Sequence, residues 1–348
     1  MTQLPAVTPR YAPQPSDVAW PTADWPEGVA RREVDDVVDE AFRDPQLDQT
    51  NAVVVVRGGR IIAERYGGTL PSFDGPGEPV TAATPMISWS MAKSVLHAAV
   101  GLLVDEGRLD PARPAAVAEW RDDERRAITL GDLLAMRDGL DFVEAYELGQ
   151  PSHVIEMLFG DGQRDVGAFA AARPLARRPG EHFNYSSGTS NVVSRIVADQ
   201  VGRGEPYRAW LAARLFDQLG MASATPTLDE SGVFVASSYL HATARDFAKF
   251  GLLYLRGGRW GDRQLLATAW TDTAQVPHSH DESSGLFYAW HWWVTGDDYG
   301  TYGASGYEGQ MISVVPALDA VVVRLGRTPE ERAPALEAWR SRLLDVLA

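Results

Sequence analysis

One strongly apolar segment constrains the fold of this 348-residue chain more than any other. Across residues 91–104 apolar side chains occupy nearly every helical face, Gly107 stands where a left-handed helix cap belongs, and Pro85 precedes the segment. A helix that lies on a protein surface carries one polar face, and this segment has almost none. The pattern therefore predicts a buried helix around which the rest of the chain is packed.

Two polar residues, Ser90 and Lys93, stand three positions apart at the start of this predicted helix. That spacing puts both side chains on one helical face, so the amine can reach the hydroxyl. A serine alcohol is a poor nucleophile at neutral pH, but a desolvated amine beside it can lose its proton and accept the one from the serine. We interpret the pair as a nucleophile with its base. The alternative is a lysine whose amine reaches solvent past a buried stem.

The use of lysine at this position is informative. Of the 32 basic residues only Lys93 and Lys249 are lysines, and the other 30 are arginines. An arginine stays protonated in a protein, whereas a buried lysine can lose its proton. With 20 serines and two lysines in the chain, chance gives about 0.1 Ser-x-x-Lys pairs. The Ser-x-x-Lys motif is therefore not expected by chance in a chain of this composition.

Composition excludes several classes of function. The net charge of −15 leaves no basic stripe for nucleic acid and disfavours an anionic membrane surface. The chain has no cysteine, which removes disulfides, thiolate nucleophiles and cysteine metal sites. Residues 1–10 lack a basic segment followed by an apolar core, and the longest apolar runs are far too short to span a bilayer. We expect a cytoplasmic protein that needs no metal or cofactor and whose partner is a small molecule; the sequence leaves its oligomeric state open.

The order of predicted elements indicates how the chain is organised. A proline-rich arm that carries Trp20 and Trp25 comes first, and a hairpin follows at 51–66 with its turn at Gly58-Gly59. Predicted helices dominate the chain from about residue 110, and predicted strands return after about residue 286. This order predicts an α/β (α+β) fold, in which helices flank an antiparallel sheet built from both ends of the chain and a mostly helical lobe is inserted. The predicted boundaries are 1–30 for the arm, 31–109 plus 286–348 for the sheet domain and 110–285 for the helical domain. A cleft between lobes is the default place for chemistry.

The periodicity gives the following elements. Helices are predicted at 34–42, 91–104, 130–136, 154–159, 165–172, 190–201, 207–219, 243–255 and 334–347, and the later strands at 287–294, 309–315 and 320–325.

Two further stretches carry candidate chemistry. Tyr185 lies in a predicted loop ahead of the 190–201 helix, where a phenol near an ammonium can ionise and serve as a base or proton relay. The alternative is a tyrosine that only packs at a helix entrance. Near the C-terminus, the glycines around Ser305-Gly306-Tyr307 would let the backbone approach a ligand, so the amides of Tyr307 and Ser90 could form an oxyanion hole. The alternative there is an ordinary turn.

Three motifs occur in a fixed order: Ser90-Met-Ala-Lys93, Tyr185-Ser-Ser187 and Ala304-Ser305-Gly306. This set resembles the penicillin-recognising serine hydrolases, and it is most similar to the class C β-lactamase-related branch, which includes serine esterases and 6-aminohexanoate-dimer hydrolase. Stretches at 107–110, 128–136, 179–186 and 242–251 are similar to that branch too, so the resemblance covers roughly residues 30–345.

The resemblance implies roles for particular residues. Ser90 would be the nucleophile, Lys93 its base and Tyr185 the relay that protonates the leaving group. The Ser90 and Tyr307 amides would hold the oxyanion. Three further positions of the second and third motifs would serve in oxyanion or substrate binding, namely Ser187, Ser305 and Gly306. The segment 141–146 resembles one that in the nylon-oligomer hydrolases places a tyrosine over the leaving group, which makes Tyr146 an implied substrate contact.

Two departures bear on the substrate. Ser187 stands where β-lactamases have an asparagine that contacts the penicillin amide, and Ala304 stands where they have the lysine that holds the antibiotic carboxylate. Both departures argue against efficient β-lactam hydrolysis. The sequence therefore predicts a serine hydrolase that acts through an acyl-enzyme on small carboxylic esters, with linear amides as a further class. The alternatives are a β-lactamase or D-alanyl-D-alanine carboxypeptidase and, in another class, a non-catalytic binding protein on a degenerate hydrolase fold.

Overall fold

The computed structural model describes residues 4–71, 77–146 and 149–348. The first residues of the predicted arm and part of the loop predicted between 67 and 79 lie outside these ranges. The helices are α1 (Arg32–Glu40), α2 (Ala92–Asp105), α3 (Leu130–Leu134), α4 (His153–Phe159), α5 (Val166–Ala171), α6 (Ser187–Val201), α7 (Glu205–Leu211), α8 (Asp217–Leu219), α9 (Ala244–Leu255), α10 (Thr268–Asp272) and α11 (Ala333–Leu347). The strands are β1 (Gln49–Arg57), β2 (Arg60–Tyr66), β3 (Met86–Ile87), β4 (Thr225–Pro226), β5 (Leu240–Ala242), β6 (Arg259–Trp260), β7 (Arg263–Gln264), β8 (Ser279–His280), β9 (Phe287–Tyr288), β10 (Trp293–Val294), β11 (Tyr302–Gly306), β12 (Gln310–Val315) and β13 (Ala320–Arg327).

An antiparallel sheet of eight strands organises the molecule, in the order β2-β1-β13-β12-β11-β10-β9-β8. The pairing of β1 with β13 joins the two ends of the chain in the middle of the sheet, as predicted. The mixed α/β fold class is therefore confirmed. A smaller sheet, β3-β5-β4, lies beside the start of α2.

The run of four valines in β1 shows that the sheet is covered on both faces. Val54 and Val56 belong to the core shared with α2 and α9, whereas Val53 and Val55 belong to the core shared with α1 and α11. Successive side chains of a strand point to opposite faces, so an unbroken apolar run is what a strand buried on both sides requires. The hairpin turns at Gly58-Gly59, both with positive φ, as predicted.

Helix α2 is the buried helix that the sequence predicts. Its residues from Ala92 to Leu103 are all buried, and it begins after a 3₁₀ turn at Trp89–Met91. Helix α9 packs on the sheet at Gly251, where an added Cβ would lie 2.9 Å from the Ile312 side chain. That glycine allows helix and sheet to approach closely.

Three predicted elements differ from the structure. The single strand predicted at 287–294 is a hairpin of β9 and β10, because residues 289–292 form a turn in which His291 has a φ of 56°. The tryptophans of this segment therefore do not alternate along one strand, although Trp292 is buried in the core as expected. The helix predicted at 207–219 is interrupted by a π-helical turn at Ala212–Phe216. The helix predicted from residue 190 begins three residues earlier, at Ser187.

The tryptophans of the N-terminal segment hold it against the rest of the molecule. The Trp20 ring packs 5.1 Å from that of Trp260, and the Trp25 indole donates to the Arg245 carbonyl. In the part of the chain that the structure describes, no helix is both long and apolar enough to cross a bilayer. The domain boundaries proposed near residues 110 and 285 stay predictions.

Candidate active site

The turn that carries Ser90 is anchored on the small sheet. The Ser88 hydroxyl donates to the carbonyls of Ser238 and Trp89, and the Leu240 amide donates to the Ser88 hydroxyl oxygen at 3.2 Å. Trp89 has a φ of 44°, a left-handed conformation that is strained for a bulky residue. The chain therefore turns sharply just before Ser90, which is only partly buried, while α2 behind it is buried from Ala92 to Leu103.

Ser90 and Lys93 meet as the sequence predicts. The Nζ of Lys93 lies 2.8 Å from the Oγ of Ser90, 3.1 Å from the Oγ of Ser187 and 2.9 Å from the carbonyl oxygen of Ser237. Asn191 fixes the Ser237 carbonyl, because its side chain exchanges hydrogen bonds with the Ser237 amide and hydroxyl. The amine is thus surrounded by three oxygens on three separate segments of the chain.

Burial controls the charge of this amine. Lys93 is 1% exposed, and desolvation lowers its pKa to about 8, against a smaller rise from the negative charge of Glu144. A substantial fraction of Lys93 is therefore neutral near pH 8. This supports the reading of Lys93 as a base and excludes an amine that reaches solvent past its stem.

Ser187 opens helix α6, a position the sequence prediction assigned to a loop. The residue before it, Ser186, caps the helix by accepting from the Thr189 amide, and buried Asp138 accepts from the Thr189 hydroxyl at 2.7 Å. A serine that caps the first turn starts the helix earlier than the apolar pattern alone indicates. The early start fixes the Ser187 side chain against Lys93.

Tyr185 lies beside the same amine. Its ring centroid is 4.9 Å from the Nζ of Lys93, and the ring packs against those of Trp293 and Tyr288. Burial and then the charge of Glu144 raise the pKa of the Tyr185 phenol, and the neighbouring Ser90 hydroxyl lowers it by less. A raised pKa favours the protonated phenol at neutral pH, which is the form that a proton donor needs.

The end of β11 closes against the turn of Ser90. A Cβ added to Gly306 would collide with the Ser88 carbonyl oxygen and lie 3.2 Å from the Cβ of Trp89. The ring of Tyr307 stands edge-on to that of Trp89, 5.7 Å away. Ser305 is exposed, and no hydrogen bond among the described residues joins its side chain to Ser90 or Lys93. The structure therefore brings Gly306 and Tyr307 to the site but gives Ser305 no contact with the candidate nucleophile or base.

Glu144 is a site residue that the sequence reasoning missed. Its Oε1 accepts from the Ser187 hydroxyl at 2.6 Å and from the Tyr146 hydroxyl at 2.7 Å, and its Oε2 accepts from the Ser187 amide at 2.8 Å. The Tyr146 ring in turn lies 5.1 Å from that of Tyr307. Tyr146 is thus at the site, as the resemblance implies, and a carboxylate joins it to the residues around Lys93. The only sequence signal for Glu144 was its place two residues before Tyr146.

Two histidines near the site are structural. His97 bonds the Tyr254 hydroxyl through Nδ1 and the Thr273 hydroxyl through Nε2, which confirms it as a core histidine. Burial and the charge of Lys93 lower the pKa of His291 to about 3, so it stays neutral behind α2. Within the described ranges, no group of three or more His, Asp or Glu side chains is arranged to hold a metal ion.

Comparison with known proteins agrees with the geometry. A family model described as Beta-lactamase matches residues 44–347. The chain is 28% identical over 336 residues to a 6-aminohexanoate-dimer hydrolase from Paenarthrobacter ureafaciens, covering 88% of this chain and 81% of that protein.

Two solved structures show the same fold. A candidate 6-aminohexanoate-dimer hydrolase from Bacillus anthracis superposes with a TM-score of 0.78 at 21% identity, covering 97% of this chain and 90% of the other. A family VIII carboxylesterase superposes with a TM-score of 0.71 at 16% identity, covering 91% of this chain and 99% of the esterase chain. The chain therefore belongs to the β-lactamase family of penicillin-recognising serine hydrolases.

Proposed function

We propose that this protein hydrolyses small carboxylic esters, and linear amides as a further class, through an acyl-enzyme on Ser90. The observation that carries the proposal is the 2.8 Å contact between the Ser90 hydroxyl and a buried lysine amine whose pKa is lowered to about 8. A neutral amine at that distance can take the hydroxyl proton as the oxygen attacks a carbonyl carbon.

The reaction would proceed in two halves. In the first, Lys93 accepts the Ser90 proton, the Ser90 oxygen bonds to the carbonyl carbon, and the amides of Ser90 and Tyr307 stabilise the oxyanion. Tyr185 then donates its proton to the leaving oxygen or nitrogen and recovers one from the Lys93 ammonium. In the second half, water attacks the acyl-enzyme ester and its proton passes to Lys93, which returns that proton to the Ser90 oxygen as the oxygen leaves the acyl carbon.

Several features favour esters and linear amides over β-lactams. The position that carries a lysine in β-lactamases is Ala304, a buried residue of β11, so this position supplies no cation for an antibiotic carboxylate. The mouth of the site carries the half-exposed rings of Tyr146 and Tyr307 and the carboxylate of Glu144. Aromatic walls with one negative charge suit neutral or cationic substrates better than anionic ones. The names of the relatives, an amide hydrolase and a carboxylesterase, support both substrate classes.

Hydrolysis of p-nitrophenyl acetate and butyrate by the wild type and by Ser90→Ala tests the proposal. We expect the variant to lose a factor on the order of 10³ or more in kcat/KM. The matched control is Ser283→Ala on an exposed loop, which should behave as the wild type. Equal rates for Ser90→Ala and the wild type would remove Ser90 from the mechanism.

Nitrocefin distinguishes the β-lactamase alternative. We expect its turnover to be much slower than that of the esters. Faster nitrocefin turnover, or stable labelling by penicillin, would favour a β-lactamase or carboxypeptidase. Absence of both hydrolysis and fluorophosphonate labelling would favour a binding protein.

A further inference from the structure

The hydrogen bonds around Lys93 determine the direction in which its amine can act. A neutral primary amine has two N–H donors and one lone pair, and the Nζ of Lys93 faces the three oxygens of Ser90, Ser187 and Ser237. The Ser237 oxygen is a carbonyl and can only accept, so it takes one N–H. The direction of the lone pair then depends on whether Ser187 or Ser90 supplies a proton to the amine.

Glu144 decides between the two hydroxyls. Its carboxylate receives three donors, the hydroxyl and amide of Ser187 and the hydroxyl of Tyr146, at 2.6–2.8 Å. An ionised carboxylate only accepts, and Glu144 carries the negative charge that acts on Lys93. The Ser187 proton therefore points to Glu144, and the Ser187 oxygen is left to accept the second N–H of Lys93.

We propose that Glu144 is a positioning residue: by holding the Ser187 proton, it aims the lone pair of the neutral Lys93 amine at the hydroxyl of Ser90. This inference rests on the proposed function, because it gives Lys93 the role of base for Ser90. Glu144 acts through Ser187 and does not itself exchange a proton with substrate.

The variant Glu144→Gln separates this role from general folding. The Ser187 amide can only donate, so it claims the oxygen of the glutamine amide and leaves the glutamine NH₂ facing the Ser187 hydroxyl oxygen. That NH₂ donates to Ser187, whose proton then turns towards Lys93 and competes with Ser90 for the lone pair. We expect kcat for p-nitrophenyl acetate to fall about 10- to 100-fold while KM changes little.

Removing the competing hydroxyl should restore activity. In Ser187→Ala no second proton can occupy the lone pair, and we expect a smaller loss than in Glu144→Gln. The double variant Glu144→Gln/Ser187→Ala should be more active than Glu144→Gln and similar to Ser187→Ala, a coupling that a purely structural role would not produce. The matched control is Asp141→Asn, the same chemical change on the same segment at a carboxylate that pairs with Arg173; it should behave as the wild type.

The pH profile supplies an independent readout. Among the residues that the structure describes, the titratable groups that face Lys93 are Glu144, Tyr185 and His291. The last two stay neutral because the pKa of the phenol is raised and that of the imidazole is lowered to about 3. Loss of the Glu144 charge removes the effect that raises the Lys93 pKa, so the rising limb of kcat/KM should move to lower pH in Glu144→Gln.

The outcomes distinguish this inference from the proposed function. Full activity of Glu144→Gln, or a loss in the double variant as large as that in Glu144→Gln alone, would overturn the positioning role, while an inactive Ser90→Ala leaves the proposed function standing. Full activity of Ser90→Ala would overturn both. The thermal midpoint of each variant, measured in parallel, identifies any loss that comes from unfolding.

Discussion

The amine of Lys93 lies 2.8 Å from the hydroxyl oxygen of Ser90 although the lysine is almost entirely removed from water. Burial of an amine favours its neutral form, which is the form that can accept a proton. Burial of Lys93 therefore lowers the stability of the fold and at the same time favours the neutral amine that a base requires.

A first prediction follows from replacing this amine with a group that cannot lose its proton. Lys93→Arg keeps the positive charge, but a guanidinium stays protonated and has no lone pair to offer. We expect a loss on the order of 10³ in kcat/KM for p-nitrophenyl acetate. The control is Lys249→Arg, at the other lysine, which pairs with Asp246 away from the site and should remain active per folded molecule. Retained activity of Lys93→Arg would contradict the role of Lys93 as base.

A second prediction concerns pH. Because Lys93 must be neutral to accept a proton, kcat/KM should rise about tenfold per pH unit below the pKa of Lys93 and level off above it, with the midpoint near the value of about 8. The pKa of the Tyr185 phenol is raised, so it keeps its proton across this range. A profile that is flat or falls between pH 6 and pH 8 would be inconsistent with a lysine base.

A third prediction tests the close approach of β11 to the turn of Ser90. In Gly306→Ala the new methyl group would collide with the Ser88 carbonyl oxygen and push the Tyr307 amide away from Ser90. We expect kcat per folded molecule to fall by about a factor of ten or more through loss of oxyanion stabilisation, and the thermal midpoint, measured in parallel, identifies any loss that comes from unfolding. Gly300→Ala is the control for backbone strain away from Ser90, because its added Cβ meets no atom within 4 Å while its φ of 68° strains an alanine. An unchanged kcat in Gly306→Ala would argue against an oxyanion role for this loop.

A fourth prediction concerns stability. The buried guanidinium of Arg256 at the end of α9 contacts Asp319, the Ala12 carbonyl and the Gln14 side chain, and so ties the arm to the sheet. Arg256→Met leaves a partly buried carboxylate and a carbonyl without their partner, and we expect the free energy of unfolding in urea to fall by about 2–3 kcal/mol. The exposed pair of Arg60 and Asp17 is the control, and Arg60→Met should cost less than about 1 kcal/mol. Equal effects of the two variants would refute the role given to Arg256.

Much of the fold was predictable because it follows from local patterns. Apolar residues around the whole circumference of α2 indicate a buried helix, and the valine run of β1 indicates a strand that is covered on both faces. The Gly58-Gly59 turn determines where the hairpin between β1 and β2 reverses. The Ser-x-x-Lys spacing was enough to predict the contact between Ser90 and Lys93, because both residues stand on one helical turn. The shape of the segment 287–294 was not predictable in the same way, since one residue with positive φ, His291, divides it into two strands.

The parts of the site that the sequence did not reveal depend on contacts between distant segments. The Ser237 carbonyl is a backbone group, and no side-chain pattern marks it. Glu144 reaches Ser187 across 43 positions of chain, and a lone acidic residue in a loop is usually solvated. The start of α6 at Ser187 depended on the cap at Ser186, a signal that the apolar periodicity does not contain.

The most direct test is to identify the serine that acts as the nucleophile. Incubation with a fluorophosphonate probe over a range of pH, followed by mass spectrometry of the digested protein, measures both the site and the rate of modification. We expect an adduct on Ser90 alone, formed at a rate that rises with pH with a midpoint near 8 in the wild type and that is lost in Lys93→Arg. An adduct on Ser187 or another serine, or ester turnover that continues with Ser90 unmodified, would contradict it.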